Sequence, residues 1–379
     1  MKENALSITA AAPVVAQSTD TYAETLMTEK ESYVISDGIG FDSASFTITG
    51  PVNYLNEWYE TGLVRDIIWK DPDGGTCFEG YVNRLQLIIG DRALTKSVEA
   101  MANRVVFNYT ALDTANNPPT AGAKTTVTKN DTTSQARYGI KTVILSGAEC
   151  TAATADDRAF AELNWRKQIV SSEVVTVGQG KQPSLKVDLK GYAYMANWFV
   201  YNQTGSSGTA NSSAIVSAVL AADPNSVLAT STLNIDTNTT ATEQFWDGDD
   251  LGWKIIQELA MRGYETGSVG YRWHCGVYAH RRTTFKAAEG LNDNKVPYAT
   301  NKYLPLHRQI RDASDAFIDE AGREWMPWEL RPDRLVYTEG VPGRPTYITQ
   351  IKITMPWRIT YQGTDQVNPM ALLIRDVCA

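Results

Sequence analysis

Histidine and cysteine are scarce in this chain. Among 379 residues there are three His, at His274, His280 and His307, and four Cys, at Cys77, Cys150, Cys275 and Cys378. Three scattered imidazoles exclude a histidine-rich metal site. No two cysteines form a CxxC pair, so the spacing offers neither a zinc motif nor a redox motif. The four read as buried, reduced thiols of a protein folded in a cytosol. No run of eighteen apolar residues occurs, which excludes a membrane-spanning helix by length. Residues 5–16 have some of the apolar character of a signal-peptide core, but Glu3 spoils the basic flank and Pro13 interrupts the run, so no leader is expected. Positive charge is in deficit, with a net charge of −8, and this argues against sequence-independent binding to nucleic acid. No Walker lysine follows a glycine-rich loop and no GxGxxG opens a helix, so no nucleotide cofactor is expected.

What the chain does have is aromatic residues, β-branched residues and alternation. Ten Trp and eighteen Tyr supply large contact areas of the kind enriched in strands and interfaces. Residues 45–50 (SFTITG) alternate and stop at Gly50-Pro51. Residues 63–70, 77–89 (containing FEGYVNRLQLII), 104–112 (RVVFNYTAL), 138–146, 185–193 (LKVDLKGYA), 269–279, 346–354 (TYITQIKIT) and 370–377 read as further strands between glycine, proline and asparagine turns. Three helices are expected. One follows residue 146, with Thr154 and Asp157 as a capping pair and Ala159, Phe160 and Leu163 on its apolar face. A second is short, with Ile215, Val216, Val219 and Leu220, stopping before Pro224. The third spans 250–262, with Leu251, Ile255, Ile256 and Leu259 buried, Asp249 and Asp250 at its positive end, and Gly263 as its left-handed cap. Residues 113–136 and 204–213 read as exposed connections. Gly-Tyr pairs at 80–81, 191–192, 263–264 and 270–271 recur without a fixed period.

The fold class implied is mainly β with α/β insertions, built from multiple small β-barrel domains that close their own edges. The expected division is an N-terminal arm (1–36), a first β-barrel (37–112), an α/β insertion (113–184), a second β-rich domain with helices (185–290) and a C-terminal β-rich region (291–379). The first forty residues carry six acids against two lysines, half of the net charge, and show no clear period. Such a segment does not order itself alone. It is expected to lie as an extended clasp across a neighbouring subunit, the alternative being packing on its own domain.

Candidate chemistry is thin. Trp273-His274-Cys275 places a base beside a thiol, but adjacent strand residues point to opposite faces, so a packed strand is expected. Asp247-Gly248-Asp249-Asp250 imitates the start of a calcium loop, but Leu251 occupies a ligand position and helix capping accounts for the acids. No pair of carboxylates is marked out for glycosidase work. No catalytic, cofactor or metal residue is therefore assigned. Two clusters are candidate interface residues: Arg281 and Arg282, as a basic contact for a partner's carboxylates, and Trp325 and Trp328, flanking Met326-Pro327 as a rigid apolar anchor.

Several segments, in order, resemble the hub proteins of bacteriophage tails, the ring-forming family that joins the tail tube to the central spike. They are residues 78–82 (FEGYV) continuing to 101–105 (MANRV); residues 136–140 (ARYGI) with the strand and helix after them; residues 185–187 leading to Gly191-Tyr192; residues 253–259 with Gly263, Trp273, 276–278 and Arg281; and Pro327-Trp328 with 331–333 (RPD). The resemblance covers roughly residues 40–360. It implies a non-enzymatic virion protein of the tail tip or baseplate, made in the host cytoplasm, with paired β-barrels around a homotrimeric ring or, alternatively, a hexamer. It also implies neighbours: a distal tail protein, a tape-measure protein, and spike or fibre proteins. Genomic DNA would pass through without specific binding, and the chain would not insert into a membrane. The alternatives are another tail ring component, such as a distal tail or tube-completion protein, or a virion-borne glycan hydrolase or receptor-binding protein.

Overall fold

The computed structural model describes residues 7–13, 23–71, 74–115, 118–178, 180–203, 210–231, 234–238, 246–266, 269–271, 273–287, 317–318, 324–325, 337–341, 344–355 and 358–364. The chain opens with β1 (Ser7–Pro13), β2 (Ala23–Thr25), β3 (Thr28–Ser36), β4 (Gly40–Thr49), α1 (Val52–Thr61), β5 (Arg65–Lys70), β6 (Thr76–Gly90) and β7 (Arg92–Ser97). There follow β8 (Arg104–Asp113), β9 (Thr120–Asn130), α2 (Thr132–Tyr138), β10 (Thr142–Ser146), α3 (Ala152–Arg166), β11 (Ser171–Val175) and β12 (Lys181–Gly191). After a 3-10 segment (Tyr192–Trp198) come β13 (Val200–Asn202), α4 (Ser212–Ala221), β14 (Asp247–Leu251), α5 (Gly252–Arg262), β15 (Tyr264–Thr266), β16 (Val269–Tyr271), β17 (Trp273–Tyr278) and β18 (Arg282–Ala287). The last strands are β19 (Phe317–Ile318), β20 (Glu324–Trp325), β21 (Tyr337–Val341), β22 (Arg344–Thr354) and β23 (Arg358–Thr364).

The protein is mainly β, in several sheets. The largest has fourteen strands along the path β2-β1-β5-β6-β12-β4-β3-β22-β21. β7 and β11 branch from β6, β17 and β18 from β4, and β23 from β22. Among the described residues no sheet closes into a barrel, which corrects the expected barrel domains. Alternation and glycine turns specify two-faced strands, and a curved, branched sheet satisfies that pattern as well as a closed one. The expected boundary at residue 184 falls inside β12, which lies between β6 and β4. The first and second halves of the chain therefore share one sheet.

Period-two patterning gives the stretch from the second half of β6 through β12, β4 and β3 to β22 one dry and one wet face, whereas β17 and residues 77–83 of β6 are buried on both faces. Leu85 and Leu87 of β6, Leu185 and Val187 of β12, Phe46 and Ile48 of β4, Tyr33 and Ile35 of β3 and Ile351 and Ile353 of β22 are all buried. The intervening positions form polar rows across the strands, such as Gln86–Lys186–Thr47–Glu29 and Arg84–Asp188–Ser45–Ser32. The expected arm also corrects. β1 pairs β2 and β5, β3 pairs β4 and β22, and Ile8, Ala10, Tyr33 and Ile35 are buried. These residues are ordered by their own sheet rather than as a clasp, because backbone pairing and a few apolar anchors replace the missing regular period.

Glycines set two close crossings. A Cβ at Gly191 would stand 1.6 Å from Phe41 O, and Gly40, at φ +82°, leaves room for the backbone of Val277. The Gly-Tyr pairs are cross-strand partners. Gly80 lies opposite Gly191, with the Tyr81 and Tyr192 rings 6.1 Å apart, and Tyr264 lies opposite Tyr271.

A satellite unit comprises β8, β9, β10 and α3. β10 runs parallel to β8, β9 antiparallel to it. Its core is Val105, Phe107, Tyr109, Cys150, Ala155, Ala159 and Leu163. α3 is capped by Thr151, which accepts from the Thr154 N–H, one turn earlier than the expected Thr154–Asp157 pair, and Phe160 is exposed rather than packed. β9 and α2 occupy the segment expected to be a connection. α5 starts at Gly252, after β14, so Leu251 caps it and is half-buried, while Ile255, Ile256 and Leu259 are fully buried. Gly263 follows with φ +66°. The strand expected at 370–377 lies outside the described residues.

Ile255→Asp places an unpaired carboxylate among the residues that join α5 to the main core. It is expected to cost about 3–5 kcal/mol, read as a lowered urea midpoint by circular dichroism.

Candidate functional site

Of the four expected interface residues, Arg281 turns inward. Its Nη2 donates to Asp66 Oδ2 at 3.0 Å, its Nε lies 3.3 Å from Glu79 Oε1, and its guanidinium sits over the Tyr192 ring at 5.2 Å. Arg281 thus pairs within the chain while its side chain stays 29% exposed, because two carboxylates buried at β5 and β6 need its charge. Asp66 also accepts from the Tyr192 hydroxyl, and Glu79 accepts from the His280 N–H at 2.6 Å. Arg282, next along, is exposed at the start of β18. Trp325 lies on β20, opposite Phe317, and Trp328 lies outside the described residues.

The turn that delivers Arg281 is strained. His280 and Arg281 both have positive φ, at 62° and 56°, and Val64, two residues before Asp66, has φ 65°. Such conformations are unfavourable for residues with a Cβ, most of all for a β-branched one, and persist only where surrounding contacts hold them. Here the Val64 N–H donates to Val82 O, the His280 N–H to Glu79, and the Ala229 N–H to Arg281 O. Burial raises both carboxyls above their usual range. For Asp66, the Tyr192 hydroxyl and Arg281 oppose that rise; for Glu79, the nearby Asp66 charge adds to it and Arg281 opposes it. The native cluster therefore holds protons more tightly than the unfolded chain does. Its contribution to stability declines as pH rises from the ordinary carboxylate range through the raised values.

A second buried chain links Asp37, His274 and Tyr278. Asp37 Oδ1 lies 2.6 Å from His274 Nδ1, and Tyr278 OH lies 3.0 Å from Nε2. With the carboxylate accepting from Nδ1–H, Nε2 is left to accept from the tyrosine hydroxyl. His274 is therefore committed to these two partners, while the neighbouring Cys275 thiol faces Gly38 O at 3.7 Å. Cys77, Cys150 and Cys275 are buried thiols, and burial pushes the Cys77 thiol up to about 12. Cys378 lies outside the described residues.

Two asparagines that the sequence reading did not single out fix the backbone that leads into β10. Asn103, in the MANRV segment, donates to Gly139 O at 2.7 Å and accepts from the Lys141 N–H at 2.8 Å. Asn225 exchanges two hydrogen bonds with the Ile140 backbone, at 2.7 and 2.9 Å. Lys141 Nζ donates to Val98 O and Glu99 O, and burial lowers its pKa to about 8. Buried polar networks of this kind rigidify a joint when every member is satisfied.

A cleft of about 730 Å³ lies between β7, β11 and the end of α3, lined by Arg84, Lys96, Glu99, Trp165, Arg166 and Val170 among others. Lys96 reaches over the Tyr59 ring and toward Glu60, and its pKa is lowered mainly by burial. The lining holds one carboxylate, Glu99, whereas glycoside hydrolysis works through two. Among the described residues no group of three or more His, Cys, Asp or Glu is placed to hold a metal ion, and no helix is long and apolar enough to cross a membrane. Comparison with protein-family models, with curated proteins and with solved structures gives no match.

Two neighbouring arginines should separate cleanly. Arg281→Ala strands two buried carboxylates and is expected to cost about 2–4 kcal/mol at pH 7, below the full value for a buried pair because the guanidinium is partly exposed. The loss should shrink as pH falls through the raised carboxyl range, because protonation removes the charge that Arg281 pairs. Arg282→Ala should stay within about 0.5 kcal/mol across the same range. Urea titrations of both variants check this.

Proposed function

We propose that this chain is a structural, non-enzymatic subunit of a ring at the tip of a bacteriophage tail, a hub between the tail tube with its tape-measure protein and the central spike or fibres. The observation that carries the reading is where the protein spends its polar and apolar groups. Its buried ionic clusters are closed by its own side chains and hold strained turns. A group of exposed apolar residues, meanwhile, lies along an open strand, β11, which is exposed at all five residues and is flanked by the exposed Val170, Val177 and Trp165. That is the surface of a subunit made to assemble.

The segments that resemble tail hubs are the framework of the fold. Residues 78–82 lie in β6, 185–187 in the adjoining β12, 253–259 in α5, and Asn103 at the joint of the satellite unit. The mixed-charge rows on the wet face and the net charge of −8 suit a channel through which DNA slides without being held. Partners under this reading are further copies of the chain as a trimer, a distal tail protein, the tape-measure protein and spike or fibre proteins. A ring of six would instead fit a distal tail or tube-completion component.

The full-length protein is expected to form threefold rings, seen by light scattering after gel filtration and in class averages from electron microscopy. A chain that stays monomeric from micromolar to near-millimolar concentration would overturn the ring reading.

A further inference from the structure

Several strands end their sheets among the described residues, and two of them are β11 and β9. Among the described residues, β11 pairs only with β7, and β9 pairs only with β8. Edge strands are usually shortened, bulged or blocked, because their free N–H and C=O groups template pairing. β11 carries no proline and no lysine, and its register with β7 runs without a bulge, whereas β9 carries Lys124 and Lys129 and its register with β8 shifts between Thr110 and Leu112. The hydrogen-bond phase tells which groups are free. Thr176 N–H donates to Asp91 O at 2.8 Å just past the ladder. In an antiparallel pair the bonding residues alternate, so Ser171, Glu173 and Val175 turn their backbone groups to the open edge. On β8, Arg104 N–H bonds Lys141 O and Gly147 N–H bonds Asn108 O, so its even residues face β10 and its odd ones face β9. The register then places Lys124, Thr126, Thr128 and Asn130 of β9 on that strand's open edge.

We propose that β11 of one copy is completed by β9 of a second copy, so that the two sheets become continuous across the subunit boundary. The proposal rests on the ring reading above and names the contact that builds the ring. Two further observations support it. The first is area. Trp165, Val170, Val174, Val175 and Val177 are 55–87% exposed and together present roughly 600 Å² of largely apolar surface, against about 800 Å² per partner in a stable interface. The second is charge. β11 holds one charged residue, Glu173, 3.6 Å from Arg92 of β7, and β9 holds Lys124 and Lys129 with no acid, Lys129 being paired with Asp156 of α3 at 2.6 Å. Pairing β11 with its own symmetry mate would bring two Glu173 carboxylates opposite or diagonal to each other, because the strand is only five residues long. Pairing β9 with itself would likewise oppose lysines. A β11–β9 contact pairs opposite charges, and like charges across strands are destabilising. It is also head-to-tail, which is the kind of contact that closes rings of more than two.

The test uses the full chain and reads assembly by analytical ultracentrifugation and fold by circular dichroism. Val175→Pro removes one outward N–H and leaves the bonds to β7 intact, so it should give a folded monomer. Glu173→Lys and Lys124→Glu, which do not touch the backbone, should each weaken association about fivefold or more. The double variant E173K/K124E should recover wild-type association. Wild-type rings from a folded Val175→Pro protein would remove β11 from the interface while leaving the ring reading in place. Should Val175→Pro fail to fold, the charge reversals decide the question alone. Single charge variants that assemble normally, or a double variant that is not rescued, would refute β9 as the partner strand. A wild-type chain that never self-associates would sink the ring reading itself.

Discussion

The main sheet depends on one aromatic cluster. Trp69 of β5 stands edge-on to Tyr33 of β3 at 5.6 Å and tilts against Phe78 of β6 at 5.7 Å and Phe46 of β4 at 6.1 Å. Phe41 then joins Phe78 to Tyr278, each at 5.5 Å. Six rings from five strands thus meet on one dry face, although the residues span from 33 to 278. Large rings in offset and edge-on contact contribute more than their area alone. Only this shared core explains why β3 and β4, early in the chain, belong to the same sheet as β12 and β17.

Close packing of that kind leaves little freedom at its margins. The glycines at 40, 80, 191 and 276 mark places where backbones approach too closely for a side chain. At the same margin, Asp66 and Glu79 end up buried beside strained turns. A buried carboxylate is costly unless it is paired, and a left-handed valine, histidine or arginine is costly unless it is held. Arg281 meets both needs at once. Its pairing offsets the charge of the acids, and the acids in turn keep its turn in place. Such a cluster serves the architecture.

The satellite unit is joined differently. Asn225, past α4, and Lys141 Nζ reach backbone groups across the joint, so hydrogen bonds of definite geometry help to fix its position. It carries β9 on its outer edge. β11 stands at the edge of the sheet branch beyond it, between the end of α3 and the cleft at Trp165.

Much of the local structure was legible in the sequence because local periodicity is a local property. β4, β6, β8, β12, β17 and β22 announce themselves by alternation and β-branched content, and α5 by its apolar stripe and closing glycine. What failed did so for physical reasons. β9 is exposed on both faces over most of its length, so no alternation marks it, and β1 to β3 hide within an acidic segment whose few anchors are too sparse to show a period. Open sheet and closed barrel need the same pattern along each strand, so closure was decided by which strands met. The role of Arg281 was out of reach for the same reason. Its partners Asp66 and Tyr192 lie 215 and 89 residues away, and charge pairing over that separation follows from the packed sheet alone. The sequence by itself determined that the chain makes two-faced strands with few chemically distinctive residues. The tertiary structure decided which charges are buried and which edges stay open, because burial and pairing depend on contacts that no stretch of sequence contains.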